Sequence, residues 1–177
     1  RELIIMLLVD LSASGRFGTQ PANKQETAAE AAAILAFNAV RNNDKVGAIL
    51  FTDQVERYIP PQKGSGHVWR VIKEIFSHVP RHTGTDISGA VTFLGRVCRK
   101  RSVAFVVSDF LLPQGGAVVD RSMRAVGRKH ELIQVRISDP GEFELPGAGI
   151  VTVQDLETGR RVRLDAGHAP TRRLFAE

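Results

Sequence analysis

The sequence has a single cysteine, so no disulfide can close within the chain, and its stability must come from a packed core. That scarcity suits a reducing compartment. Cys98 falls on the apolar stripe of a predicted helix, where it reads as a small buried hydrophobe rather than a reactive thiol. No apolar run approaches the roughly 20 residues of a membrane-crossing helix, and the N-terminus lacks a signal-peptide pattern. Neither G-x-G-x-x-G nor G-x-x-x-x-G-K-[ST] follows a strand, which argues against dinucleotide and P-loop phosphate sites. No serine stands in G-x-S-x-G, the elbow of many hydrolases. His67, His78, His130 and His168 share no metal-ligand spacing, and His82 reads as an exposed loop residue. There is no internal repeat, low-complexity tract or linker.

What the chain does have is the composition of a soluble globular domain. Its 177 residues suit one domain with a substantial core, and 43% of them are hydrophobic. The first residue is Arg and a core strand follows at once, so the expectation is a fragment of a longer protein. The expected location is cytoplasmic, with any membrane tether lying in flanking segments. A net charge of +5 permits an acidic partner without demanding one, because most basic residues are scattered. The cluster Arg96, Arg99, Lys100 and Arg101 closes a predicted helix, where cations favour the macrodipole, and no nucleic-acid partner is read from it.

The organising stretch is Leu3-Ile-Ile-Met-Leu-Leu-Val-Asp10-Leu-Ser12-Ala-Ser14. Its apolar run fits a parallel strand buried on both faces, and it stops at a carboxylate and two hydroxyls on alternate residues. Asn23 and Glu26 then make a capping box, predicting a helix with Ala28, Ala32, Leu35 and Ala39 on one face and Asn42-Asn43 at its end. Lys45–Phe51 predicts a second strand. Thr52-Asp53 turns the chain into an antiparallel edge strand over residues 54–59, where Asp53 and Glu56 read as solvated charge. Pro60-Pro61 is expected to break the chain. A helix follows with Val68, Ile72, Ile75 or Phe76, and Val79 at helical spacing, Trp69 reading as a packing residue.

His82-Thr83-Gly84-Thr85-Asp86 is a second polar knot, placed before a helix with the stripe Ile87, Ala90, Val91, Leu94 and Cys98. The strand at residues 102–107 runs into the third knot, Ser108-Asp109-Phe110. Val119, Met123 and Val126 mark another helix, and residues 132–137 another strand. Residues 150–153 and 161–164 predict two late strands joined around Glu157-Thr158-Gly159. Alternating strands and helices imply an α/β fold of three layers, Rossmann-like, with a mostly parallel sheet, one antiparallel edge strand and helices on both faces. The core spans residues 3–137 of a single domain.

In such a sheet the polar knots share the C-terminal edge, where ligands bind. Asp10, Ser12, Ser14, Thr85 and Asp109 are all oxygen donors, suited to a hard cation such as Mg²⁺ or Mn²⁺ rather than zinc. Three hydroxyls and two carboxylates neutralise an ion less than a carboxylate cage would. An open coordination position would then attract a carboxylate from another molecule.

This set, Asp10-x-Ser12-x-Ser14 with Thr85 and Asp109, resembles the metal-ion-dependent adhesion site of von Willebrand factor A domains over residues 3–137. The resemblance implies that these side chains surround a divalent cation, some directly and some through water. More narrowly, the chain looks like the bacterial family called domain of unknown function 58. The stretches that carry this are Val9-Asp10-Leu11-Ser12-Ala13-Ser14, Asp44-Lys45-Val46-Gly47, Phe51, Val107-Ser108-Asp109-Phe110, His130-Glu131-Leu132-Ile133 and Val135-Arg136-Ile137-Ser138-Asp139-Pro140. Members are commonly encoded beside MoxR-type AAA+ ATPases, which implies such an ATPase as partner and a chaperone-like or complex-assembly role. Two departures stand out: Gly15 where a Met is frequent, and Ser108-Asp109-Phe110 in place of Thr-Asp-Gly. Neither removes a ligand oxygen.

The expectation is therefore a non-catalytic, metal-dependent module whose protein partner offers an Asp or Glu to the ion. A metal-free scaffold is one alternative. A metal-dependent phosphoryl-transfer enzyme with Asp10 as nucleophile is the other.

Overall fold

Ile4–Asp10 forms the central strand β1, buried along almost its whole length because helices cover both of its faces. The computed structural model describes residues 2–16, 18, 21–112, 116–142, 150–154 and 161–165. The chain continues through α1 (Lys24–Arg41), β2 (Lys45–Phe51), β3 (Val55–Gln62), α2 (Ser65–Ser77), α3 (Ile87–Val97), β4 (Val103–Ser108), α4 (Ala117–Gly127) and β5 (Glu131–Arg136). The sheet order is β3-β2-β1-β4-β5; β3 is antiparallel to β2 and the other pairs are parallel. The chain fills one side of β1 first and then crosses to the other. The gap between β1 and β4 is thus the switch point of the topology.

Alternation along β1 divides the core in two. Ile5, Leu7 and Val9 pack with Ala29, Ala32 and Ala36 of α1 and with Val68, Val71 and Ile75 of α2. Met6 and Leu8 face Ile87, Val91 and Leu94 of α3. The alanine face of α1 lets that helix lie close to the sheet. The expected capping box is present: Asn23 Oδ1 accepts from the Glu26 amide at 2.9 Å, and the Glu26 carboxylate accepts from the Asn23 amide at 3.0 Å. Asn43, at φ 58°, turns the chain out of α1.

Three expectations need correction. Pro60-Pro61 does not end the edge strand, because β3 runs on to Gln62. Neither proline has a paired residue in β2, whose register jumps from Val46↔Gln62 to Ala48↔Ile59. An edge strand tolerates the missing donors that a central strand could not. On α2 the buried stripe is Val68, Val71, Ile72 and Ile75, while Phe76 and Val79 are 53% and 80% exposed. Trp69 is itself 59% exposed, with its ring centroid 5.1 Å from that of Phe37 in an edge-on contact.

The late strands, β6 (Ile150–Gln154) and β7 (Arg161–Asp165), form their own antiparallel pair. The expected turn at Glu157-Thr158-Gly159 lies outside the described residues. Among the described residues no helix is long and apolar enough to cross a membrane.

Gly47 sits opposite the proline bulge, and a Cβ there would lie 2.7 Å from the Ile59 carbonyl oxygen and 2.8 Å from Met6 Sδ. Gly47→Ala should therefore cost about 1–3 kcal/mol of stability, read as a lower urea midpoint with an unchanged slope. An unshifted midpoint would show that the bulge opens without cost.

Candidate functional site

β1 and β4 are neighbours in register, Val9 opposite Val107, so Asp10 and Ser108 emerge side by side at the C-terminal edge. Asp10 is buried. Its Oδ1 accepts from the Ser12 amide at 2.9 Å, and its Oδ2 accepts from the Ser108 hydroxyl at 2.5 Å. Burial pushes this carboxyl above the usual range; the Ser108 and Ser12 hydrogen bonds oppose the rise, and the charge of Asp109 adds to it. A short 3-10 turn, Ala13–Arg16, carries Ser14 back beside Ser12, and their hydroxyl oxygens lie 3.0 Å apart. The Ala13 amide donates to the Thr83 carbonyl at 2.9 Å, fastening this turn to the loop that holds the half-buried Thr85. Four of the five expected residues are thus gathered at one edge, and Thr85 stands two residues beyond the point where its loop is tied in.

Asp109 has a partner that sequence reasoning missed. Lys24, the first residue of α1, puts Nζ 2.6 Å from Asp109 Oδ2, with both side chains buried. The same ammonium contacts Glu142 Oε1, in the 3-10 turn Pro140–Glu142. Glu142 Oε2 in turn accepts from the Asp139 amide at 3.1 Å, and Asp109 Oδ1 from the Leu111 amide at 3.1 Å. A lysine in the first turn of a helix opposes the macrodipole, and that anomaly was readable. Glu142 lies in a stretch with no periodic pattern, so nothing marked it. Asp10, Ser12, Lys24, Ser108 and Asp109 line one cavity of about 10 Å³, room for about one water.

Phe110 follows Asp109 at φ 56°, the left-handed region that a bulky side chain enters at a cost of about 1–2 kcal/mol. Its amide donates to Ser108 Oγ at 3.0 Å and its ring packs on the α3–α4 side of the core, which offset that cost.

A family model described as Protein of unknown function DUF58 matches residues 1–177. The chain belongs to the DUF58 family. Relatives of this DUF58 chain include Uncharacterized protein Rv1480 of Mycobacterium tuberculosis and Uncharacterized protein Mb1516 of Mycobacterium bovis. Each is 33% identical over 161 residues, covering 90% of this chain and 50% of the relative. The chain thus spans about half the length of these curated relatives.

Among solved structures, an aerotolerance-related membrane protein of Bacteroides fragilis aligns with a TM-score of 0.65 at 18% identity, over 98% of this chain and 86% of that one. BatB of Bacteroides thetaiotaomicron aligns at 0.64 and 16%, over 98% and 85%. The VWA domain of SpRpn10 aligns at 0.50 and 13%, over 78% and 90%. At these identities the likeness shows the fold, and the DUF58 domain has a von Willebrand A-like fold.

The donor set of the DUF58 site fits a small hard ion. The Ser12 and Ser14 hydroxyls share a hydrogen bond at 3.0 Å, a separation that adjacent ligands of octahedral Mg²⁺, about 2.9–3.0 Å apart, would also have. Among the described residues no three His, Cys, Asp or Glu side chains converge on one point, so an ion here would depend on hydroxyl and water oxygens.

Glu56 corrects another expectation. It is not solvated: its side chain is 3% exposed. It accepts from His78 Nε2 at 3.0 Å, from the Arg81 amide at 2.9–3.0 Å, from the His82 amide at 3.0 Å and from Thr52 Oγ1 at 3.0 Å. The carboxylate therefore pins the loop that leads to Thr83 and Thr85. Burial alone would raise its pKa, but these hydrogen bonds prevail and hold it at about 2, against an ordinary 4.5. A depressed pKa stabilises the fold above the ordinary value and loses that contribution as pH falls through the folded one. Glu56→Gln should cost about 2 kcal/mol at pH 7. The deficit should shrink between pH 4.5 and about 2 in urea unfolding. An equal deficit at pH 7 and pH 3 would mean that the charge does not hold the loop.

Proposed function

We propose that this DUF58 domain is a divalent-metal-dependent protein-interaction module. The von Willebrand A-like fold points to protein interaction. The finer reading rests on one observation: a buried carboxylate, Asp10, ends the central strand beside the hydrogen-bonded hydroxyls of Ser12 and Ser14, whose 3.0 Å spacing would also suit neighbouring ligands of an octahedral ion. In this reading Asp10, Ser12, Ser14 and Thr85 hold Mg²⁺ or Mn²⁺, with Asp109 as acidic support, bound to the ion directly or from the outer shell. The bound ion supplies an open coordination position, which an Asp or Glu of a protein partner fills. A MoxR-type AAA+ ATPase or its client is the proposed partner, in complex assembly or a chaperone-like task.

Phosphoryl transfer fits less well. The Lys24 ammonium beside the cavity of Asp10 is paired with two carboxylates, Asp109 and Glu142, rather than held out for a phosphate.

Thermal unfolding in EDTA, and then in millimolar Mg²⁺ or Mn²⁺, tests the proposal. Metal at about 100 times its Kd adds about 2.7 kcal/mol, a rise of about 5–10 °C for a chain of this size. Asp10→Ala should abolish that rise and weaken capture of the partner. A wild-type midpoint indifferent to metal would favour the metal-free scaffold, which should keep its partner after Asp10→Ala.

A further inference from the structure

Lys24 occupies a position that suits a lysine poorly. It begins α1, at the positive end of the helix macrodipole, and is only 4% exposed. A lysine is rarely buried so deeply unless it is paired. Two acids hold it, Asp109 at 2.6 Å and Glu142 in direct contact. Lys24 also lines the cavity that Asp10, Ser12 and Asp109 line. An ammonium thus already supplies positive charge on the wall of the cavity next to Asp10 and Ser12, and it occupies one oxygen of Asp109.

We propose that Lys24 is a tethered cation that competes with the divalent ion for Asp109, with Glu142 retaining the ammonium when Asp109 turns to the ion. This rests on the metal-dependent reading above and adds to it the residue that sets how tightly the ion is held. Two charges of like sign repel across a poorly solvated cavity far more than in water, so a fixed ammonium lowers affinity for a second cation. Glu142 makes the arrangement reversible. While it shares the ammonium, Asp109 is held less tightly; without it, Lys24 would lean more heavily on Asp109. The two side chains therefore carry opposite consequences. Removing the ammonium leaves the acids short of positive charge and favours the ion. Removing Glu142 tightens the competing pair and opposes it. A merely structural ion pair would weaken both variants in the same direction.

Mn²⁺ titration of the full chain, with free Mn²⁺ followed by electron paramagnetic resonance, distinguishes these cases. Lys24→Met should bind Mn²⁺ at least tenfold more tightly than wild type, and Glu142→Gln at least threefold more weakly. In an Asp109→Asn background the gain from Lys24→Met should fall below threefold, because the contested carboxylate is gone. Breaking a buried pair strains folding, so Glu142→Gln carries the test if Lys24→Met fails to fold. Wild-type binding that neither substitution changes by more than twofold, or that both weaken, would overturn this inference and leave the metal reading intact. Absence of Mn²⁺ binding in wild type and in every folded variant would overturn both.

Discussion

Two carboxylates end neighbouring parallel strands at the centre of the sheet, and taking such charges out of water costs several kcal/mol each unless the protein supplies partners. Much of the local structure answers that cost. Asp10 receives an amide and a hydroxyl from residues two positions on and one strand across. Asp109 receives an ammonium from the start of α1. The 3-10 turn after β1, the N-terminus of α1 and the Pro140–Glu142 turn are thereby drawn to one point, although Glu142 lies 118 residues from Lys24 in sequence. β1 could not end in Asp10 at the middle of the sheet without these contacts around it.

In the proposed reading this edge serves recognition. Hydroxyls orient an ion without cancelling its charge, so an ion held by Ser12 and Ser14 would keep a strong pull on an external carboxylate. The loop bearing Thr85 is fixed from behind by Glu56, which takes up the Arg81 and His82 amides. One buried carboxylate on the edge hairpin thus sets the position of a loop at the site. Preorganisation of this kind lowers the ordering entropy that binding would otherwise meet.

Most of the fold was legible because its signals are local. Unbroken apolar runs gave β1, β2 and β4 within a residue or so, and Asn23 with Glu26 marked the start of α1. The common edge of Asp10 and Asp109 followed from the parallel topology alone. The pairings that complete the site could not be read this way. Lys24 and Glu142 are 118 residues apart, and Glu56 meets Arg81 and His82 across 25 and 26. Hydrophobic periodicity says nothing about which charged side chains meet at such distances. Pro60-Pro61 misled for a related reason: a proline pair normally ends a strand, and only the position of β3 at the sheet edge reverses that rule.

That proline pair also bears on how molecules of this protein meet one another. An edge strand with regularly spaced free amides invites a strand from a neighbouring copy, and sheets joined in this way grow into fibres. Pro60 and Pro61 remove two consecutive donors from β3, and the accompanying bulge breaks the spacing of the rest. A flat strand approaching that side finds no continuous ladder to join. β3 is thereby a poor template for a strand from another copy.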